Sequence, residues 1–436
     1  MFGTSGIRGR VGEDVTADLA LAVGRALAVD ADRVVVGRDP RESGQFLVDA
    51  VVAGLRESGT DVVRLGLAST PTIARAVAWQ DADAGVSVTA SHNPPEDNGL
   101  KLWQPSGQAF DAALRETMTG RIRSGAFDPA PWDRVGDAAC WDARARHVSA
   151  LVDAVDSPRE LPVVLDVGNG AGGLTADALL ELGCDVETLN AQPDGAFPGR
   201  PSEPTAETCA TLCAVVRDSD AELGIAHDGD ADRMLAVDGE GNWVGGDLLL
   251  ALFAREAASD GDRVAAPVDT SLAVDDAVAE AGASVTRTKV GDVYVAERAS
   301  EPDVAFGGEP SGAWIWPEET LCPDGPMAAV ELVELVAERG PLADLVGEIE
   351  RYPIRRTSVE VEAKVAVMER VEADVRERYD EVNDLDGVRV DLGDAWFLVR
   401  ASGTQPLVRV TAEARDEARA DEVFEEARGL VEAARS

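Results

Sequence analysis

Lysine is nearly missing from this chain: of 436 residues only Lys101, Lys289 and Lys364 carry an ammonium. Positive charge as a whole is short, with 40 Lys and Arg against 81 Asp and Glu, a net charge of −41. So acidic a surface repels polyanions, and neither nucleic acid nor an anionic membrane is expected as a partner. Apolar content is nonetheless an ordinary 45%, which excludes disorder. The combination reads as a soluble fold adapted to high salt, where screening weakens self-repulsion, so a halophilic host is expected. No apolar run is long enough to span a bilayer, and the start lacks a basic segment followed by an apolar stretch, so a cytoplasmic protein is expected. The five cysteines, Cys140, Cys184, Cys209, Cys213 and Cys322, include no CxxC pair. Buried or inert thiols are expected rather than disulfides or a zinc site.

The length exceeds one ordinary core, so two to four domains are expected. A short pattern recurs: Glu57-Ser58-Gly59-Thr60-Asp61-Val62, Glu181-Leu182-Gly183-Cys184-Asp185-Val186 and Glu280-Ala281-Gly282-Ala283-Ser284-Val285. Each copy follows an Ala/Leu/Val-rich helical stretch and precedes a β-prone segment. Glycine just past a helix end can take the left-handed cap before the chain enters a strand. Three copies imply three related α/β domains. Apolar strands at Arg33–Gly37, Val163–Val167 and Arg263–Val268 alternate with helices, which implies mixed or parallel sheets covered on both faces. The stretch from Thr119 to Asp142 shows little periodicity, and Asp153–Pro162 reads as a linker. Beyond Tyr352-Pro353, short antiparallel strands are expected at Val388–Asp391, Trp396–Arg400 and Leu407–Thr411, followed by a charged helix over Asp416–Ala434. The expected fold is therefore α/β: three related mixed-sheet domains at 1–152, 153–252 and 253–352, and a smaller α+β domain at 353–436.

Asp228, Asp230 and Asp232 stand at alternate positions behind the apolar run Leu223–Ala226, with Arg233 next. Three close carboxylates repel unless they share a cation, and hard oxygen ligands suit Mg²⁺. A solvated acidic turn is the plain alternative. An EF-hand calcium loop is excluded, because Arg233 replaces its turn glycine and Gly239 its bidentate Glu. An arginine beside a metal cage points to phosphate chemistry. Ser91, in Thr89-Ala90-Ser91-His92-Asn93-Pro94, follows the strand-like Gly85–Val88. Ligands gather beyond the carboxyl ends of strands in open α/β sheets, which suits a nucleophile there, although the same residues make a good turn. The glycine elbow of a hydrolase triad is missing. Lys101 supplies a compact cation in a chain that otherwise relies on arginine. Arg8 sits among small residues whose backbone N–H groups can meet an anion. Glu309 and Ser311 offer an acceptor and a hydroxyl suited to a sugar, or to a simple turn. Arg400, Ser402, Gly403 and Thr404, with Arg409 returning nearby, form a candidate phosphate cradle. Asp166–Gly173 is glycine-rich but matches neither GxGxxG nor a Walker A sequence, and reads as a tight strand-to-helix turn.

Five segments in this order, TSGIRG at 4–9, TASHNP at 89–94, DGDADR at 228–233, GEPSG at 308–312 and RASGTQP at 400–406, resemble the α-D-phosphohexomutase superfamily across essentially the whole chain. The resemblance implies four domains around one central cleft. It also implies an enzyme, an intramolecular phosphotransferase that moves a phosphoryl group between the 1- and 6-positions of a hexose phosphate. A phosphoserine at Ser91 would carry the group, and a sugar 1,6-bisphosphate would serve as intermediate and activator. Asp228, Asp230 and Asp232 would hold one Mg²⁺ per chain, with Ser91 as a further ligand. Arg8, His92, Lys101 and Arg233 would surround the transferring group, with Lys101 moving the proton. Glu309 and Ser311 would read sugar hydroxyls, while Arg400, Ser402, Gly403, Thr404 and Arg409 would grip the phosphate that is not reacting.

FGTSGIRG at 2–9 and KVGDVYV at 289–295 resemble the phosphoglucosamine-specific branch, and Asp292 beside the sugar would favour an amino group by charge. Conversion of glucosamine 6-phosphate to glucosamine 1-phosphate is therefore expected ahead of mannose and glucose phosphates, with a hexose phosphate as the small-molecule partner and a monomer or homodimer as the assembly. Ala313 and Gln405 depart from the His and Glu common at those places. A Mg²⁺-dependent sugar phosphatase would share the metal loop and is the alternative enzyme. A non-catalytic sensor is disfavoured, because nucleophile, metal loop and both ligand loops are all present.

Overall fold

One strand–helix–strand plan is laid down three times along the chain. The structure is a computed structural model describing residues 2–3, 6–155, 160–401 and 407–435. The first sheet holds β1 (Ile7–Arg10), β2 (Arg33–Arg38), β3 (Asp61–Leu67), β4 (Ala84–Val88), β5 (Asp97–Trp103) and β6 (Ala138–Cys140), in the order β1-β5-β4-β2-β3-β6. Within it β2 runs parallel to β3 and β4, and β4 antiparallel to β5. The second sheet holds β7 (Pro162–Asp166), β8 (Asp185–Leu189), β9 (Leu223–His227), β10 (Met234–Asp238) and β11 (Trp243–Val244). Here β7 runs parallel to β8 and β9, and β9 antiparallel to β10. The third holds β12 (Arg263–Pro267), β13 (Ser284–Thr288), β14 (Val304–Gly308) and β15 (Trp314–Ile315). Again β12 is parallel to β13 and β14, and β14 antiparallel to β15.

The repeated glycines end the repeated helices. Gly59 follows the Gly44–Glu57 helix with φ +97°, Gly183 follows Leu174–Glu181 with φ +92°, and Gly282 follows Leu272–Glu280 with φ +77°. A side chain is disfavoured in that left-handed backbone, which is why glycine recurs. The parallel strands are unbroken apolar runs because both faces are covered: Val34, Val35 and Val36 are all fully buried.

The antiparallel hairpin of each repeat places a loop at the carboxyl end of its third strand. The β4–β5 loop carries Ser91, the β9–β10 loop carries Asp228 to Arg233, and the β14–β15 loop carries Glu309 to Gly312. The three motifs thus occupy the same place in three copies of one unit.

The fourth sheet holds β16 (Ile354–Glu360), β17 (Val388–Asp391), β18 (Ala395–Ala401) and β19 (Leu407–Ala414), and is antiparallel throughout in the order β16-β19-β18-β17. A helix over Glu417–Arg435 covers it. The stretch from Thr119 to Asp142 is more ordered than its lack of periodicity suggests. A helix over Ala112–Ser124, capped by Asp111 and ended by Gly125 at φ +59°, runs into it. Only Met118 of that helix is buried, so no apolar stripe marks it.

The second and third units share one apolar core running from Val148 to Ile349, whereas the fourth has its own around Val371, Phe397 and Leu430. Val268 and Leu272 meet Trp396 and Leu398 across the third–fourth junction. There the buried Glu413 carboxylate accepts from Ser271 Oγ at 2.7 Å, Leu272 N at 2.7 Å and Trp396 Nε1 at 2.8 Å. An anion from one unit thus caps the positive end of a helix in another. All five cysteines are free thiols, Cys140 exposed. Among the described residues, no helix is long and apolar enough to cross a membrane.

Candidate active site

A cavity of about 610 Å³ draws its wall from all four units: Arg8, Ser91 and His92, then Asp232 and Arg233, then Asp292, Glu309 and Ser311, then Arg356 and Arg400. The convergence follows from the repeat, since the three hairpin loops all open toward this space.

Ser91 has φ +52°, unusual for a residue with a side chain. Its N–H donates to Thr89 Oγ1 at 2.8 Å and its Oγ donates to Asp228 Oδ2 at 2.7 Å, with His92 Nδ1 3.3 Å from the same hydroxyl. The turn therefore aims the hydroxyl out of the first unit at the acidic loop of the second.

Asp228, Asp230 and Asp232 are all buried, and each offers an oxygen within 4.8 Å of the others. Burial and mutual repulsion push the Asp228 and Asp232 carboxyls above the usual range. Burial would raise Asp230 too, but Lys101 and a hydrogen bond from Thr70 hold it low. Lys101 Nζ donates to Asp230 Oδ2 at 3.1 Å and to Asp232 Oδ2, while Thr70 Oγ1 donates to Asp230 Oδ2 at 2.6 Å. Burial opposes the Lys101 charge, and the two carboxylates outweigh it, leaving its pKa raised. Asp230 Oδ1 is buried without a hydrogen-bond partner. An orphaned acceptor in a trio of carboxylates, against one ammonium, is a donor set that a hard divalent cation satisfies, so these residues fit Mg²⁺.

The remaining cations face the same space. Arg8, on β1, has a buried Nε without a hydrogen-bond partner. Arg233 lies with Nη1 3.6 Å from Glu203, and its backbone N donates to Asp228 Oδ1 at 3.2 Å. Burial, then Arg233, Arg8 and Lys101, push His92 down to about 3, so its ring is neutral at pH 7.

On the third unit, Glu309 Oε1 accepts from Gly291 N at 2.7 Å, and Ser311 Oγ lies 3.4 Å from Glu309 Oε2. Burial first, then the neighbouring Asp292, raise Glu309 to about 7. Asp292 opens the Asp292–Ala299 helix at the cavity wall. On the fourth unit, Arg400 Nη1 donates to Asp386 Oδ2 at 2.8 Å, and the same oxygen accepts from Val290 N at 3.2 Å. Arg409 pairs with Arg400 across β18–β19, but it is exposed and is not among the residues lining the cavity. Ser402, Gly403 and Thr404 lie outside the described residues.

Asp269, Lys289, Arg356 and Asp386 also line the cavity, without having been singled out as ligands from sequence. The scarcity of lysine is a signal that could have marked Lys289, and Asp269 follows β12 at a strand carboxyl end, where ligands gather. Arg356 and Asp386 carry no local motif.

Most of the chain is matched by four sequence families. They are Phosphoglucomutase/phosphomannomutase, alpha/beta/alpha domain I over residues 1–128, domain II over 145–241, domain III over 245–352, and the C-terminal domain over 357–430. A protein of Methanococcoides burtonii named "Probable phosphoglucosamine mutase" is 45% identical over 439 residues, covering 100% of this chain and 99% of that one. A protein of Methanopyrus kandleri with the same name is 46% identical, covering 98% of this chain and 96% of that one. Among solved structures, a phosphoglucomutase/phosphomannomutase family protein from Burkholderia thailandensis is similar with a TM-score of 0.90 at 30% identity, covering 100% of this chain and 98% of that one.

Proposed function

This chain belongs to the phosphoglucomutase/phosphomannomutase family and is a phosphosugar mutase, and we propose that it converts glucosamine 6-phosphate to glucosamine 1-phosphate. The observation that carries the mechanism is the Ser91 hydroxyl 2.7 Å from Asp228 at the cavity wall. Substrate choice rests on the acid-lined third unit, where Asp269, Asp292 and Glu309 face the cavity and an amino substituent would be held by charge.

Ser91 carries the phosphoryl group. In one half-reaction the bond from phosphorus to Ser91 Oγ breaks while a bond to the sugar hydroxyl oxygen forms, giving a 1,6-bisphosphate. The hydroxyl proton leaves by way of Lys101, and Ser91 Oγ regains a proton at its Asp228 contact. In the other, Ser91 Oγ attacks the second phosphate and passes its proton to Asp228, while the bond from phosphorus to the sugar oxygen breaks and Lys101 protonates that oxygen. Between the two, the bisphosphate turns round. Asp228, Asp230 and Asp232 would hold one Mg²⁺ with an oxygen of Ser91. When bound, that cation neutralises charge on the phosphoryl group. Arg8, Arg233 and the neutral His92 orient the group from the other side. Glu309, Ser311 and Asp292 bind the sugar. Arg400, with Ser402, Gly403 and Thr404, holds the far phosphate, and Arg409 supports that strand pair. We assign the four units to 1–152, 153–252, 253–352 and 353–436.

Rates on the 1-phosphates of glucosamine, mannose and glucose, compared at high salt, test the substrate. Glucosamine is expected to lead in kcat/KM by at least about tenfold, equivalent to roughly 1.4 kcal/mol. A lead for mannose would replace the substrate, and release of inorganic phosphate without isomer would replace the mutase by a phosphatase.

A further inference from the structure

Arg41 has no exposed surface, an unfavourable place for a guanidinium unless its charge and donors are all answered. One loop answers nearly all of them. Nη2 donates to the carbonyl oxygens of Ser91 at 2.8 Å and Asn93 at 2.6 Å, and Nη1 to those of Asp97 at 3.0 Å and Pro94. Nε donates to Asp39 Oδ2 at 2.9 Å. The same carboxylate oxygen accepts from Thr89 Oγ1 at 2.7 Å, and Thr89 Oγ1 in turn accepts from Ser91 N at 2.8 Å. The main chain of Ser91 is therefore held at both its N–H and its C=O, while its φ is +52°. Such a conformation persists only where the surroundings over-determine it.

Arg41 is not among the residues that line the cavity, so its charge does not meet the sugar. It does reach the second unit. Its guanidinium stacks over the Phe197 ring at 5.0 Å, and Ser202 Oγ donates to the Ser91 carbonyl at 2.9 Å beside it. The Ser91 carbonyl is thus the point where Arg41 and the unit bearing Asp228 meet.

We propose that Arg41 is a positioning residue for phosphoryl transfer, holding the Ser91 main chain in the turn that aims Oγ at Asp228. The inference rests on Ser91 being the carrier of the phosphoryl group. Lysine cannot substitute, because a point-like ammonium lacks the planar fork that reaches several carbonyls at once. A reacting atom displaced by about 1 Å slows transfer by about 100-fold.

The test uses the full chain with Arg41→Lys and, separately, Thr89→Val, which removes the hydroxyl that joins Ser91 N to the Asp39 carboxylate. Single-turnover labelling of Ser91 by ³²P-labelled glucose 1,6-bisphosphate is followed, together with KM for glucosamine 1-phosphate and cooperative melting. In folded Arg41→Lys, labelling and kcat are expected to fall about 100-fold with KM held within about threefold. For Thr89→Val a loss of at least about tenfold is expected, since the hydroxyl's two hydrogen bonds, to Ser91 N and Asp39, are both lost. Labelling within threefold of the unaltered chain in a folded Arg41→Lys, or a loss that merely tracks the folded fraction, overturns the proposal. Should Arg41→Lys not fold, Thr89→Val decides alone: slowed labelling supports the proposal and unchanged labelling overturns it. Absence of label from the unaltered chain would overturn the role of Ser91 itself, and the proposal with it.

Discussion

Ser91 Oγ donates to Asp228 Oδ2 across 2.7 Å, although 137 residues separate the two in the chain. The contact joins the third-strand loop of one repeat to the equivalent loop of the next. A duplicated hairpin position has been given a nucleophile in one copy, a carboxylate cage in another and sugar-facing groups in a third. That division of labour explains why no single unit contains a complete site.

Asp228→Asn keeps the shape of the side chain and removes its charge. A loss of at least about 100-fold in kcat is expected, since electrostatic groups of this kind contribute about 3 kcal/mol. Melting in the absence of Mg²⁺ should not fall, because one of three buried, mutually repelling carboxylates has gone. A variant that loses stability along with activity would contradict this.

Mg²⁺ should stabilise the unaltered chain by about 2.7 kcal/mol when present at 100 times its Kd. Asp230→Asn should lose most of that gain, because the Asp230 carboxylate, including its unpartnered Oδ1, belongs to the cage. Thermal melts with Mg²⁺ and with a chelator measure both. Equal gains in the two proteins would remove Asp230 from the cage.

Glu413→Ala strips Ser271 Oγ, Leu272 N and Trp396 Nε1 of a shared buried acceptor. Denaturant unfolding should report a loss of about 1–3 kcal/mol or more, and Glu413→Gln should recover part of it. No loss would show that the third–fourth junction rests on apolar packing alone.

His147 is buried, with Nδ1 2.8 Å from Thr72 Oγ1 and Nε2 3.3 Å from Asp324 Oδ2. Burial depresses its pKa, only partly opposed by Asp324. A depressed histidine contributes stability above its ordinary value of 6.5, and that contribution is lost as acid protonates the folded state. The stability advantage of the unaltered chain over His147→Gln should therefore shrink as pH falls below 6.5. Denaturation across a pH series checks this, and an advantage that grows on acidification would contradict it.

With a net charge of −41, self-repulsion opposes the folded state at low ionic strength. Melting temperature should climb as KCl is raised toward the molar range, where the screening length is about 3 Å. A steady fall would refute adaptation to salt.

The parts legible in the sequence are those whose cause is local. Gly59, Gly183 and Gly282 mark the repeat because a left-handed residue after a helix needs glycine. The spacing of Asp228, Asp230 and Asp232 marks a cage because alternate carboxylates repel without a cation. Arg41 and Thr70 were invisible, because the groups they bind, Ser91 and Asp230, lie 50 and 160 residues away and no local pattern encodes them. Arg356 and Asp386 were hidden for the same reason: only the packing of the fourth unit brings them to the cavity.

The most direct measurement is mass spectrometry of the chain after incubation with glucose 1,6-bisphosphate, beside Ser91→Ala. One phosphoryl group on Ser91 is expected, discharged on adding glucosamine 1-phosphate, with no label and no turnover in a folded Ser91→Ala. A modified residue elsewhere, or turnover by Ser91→Ala near that of the unaltered chain, would contradict the account.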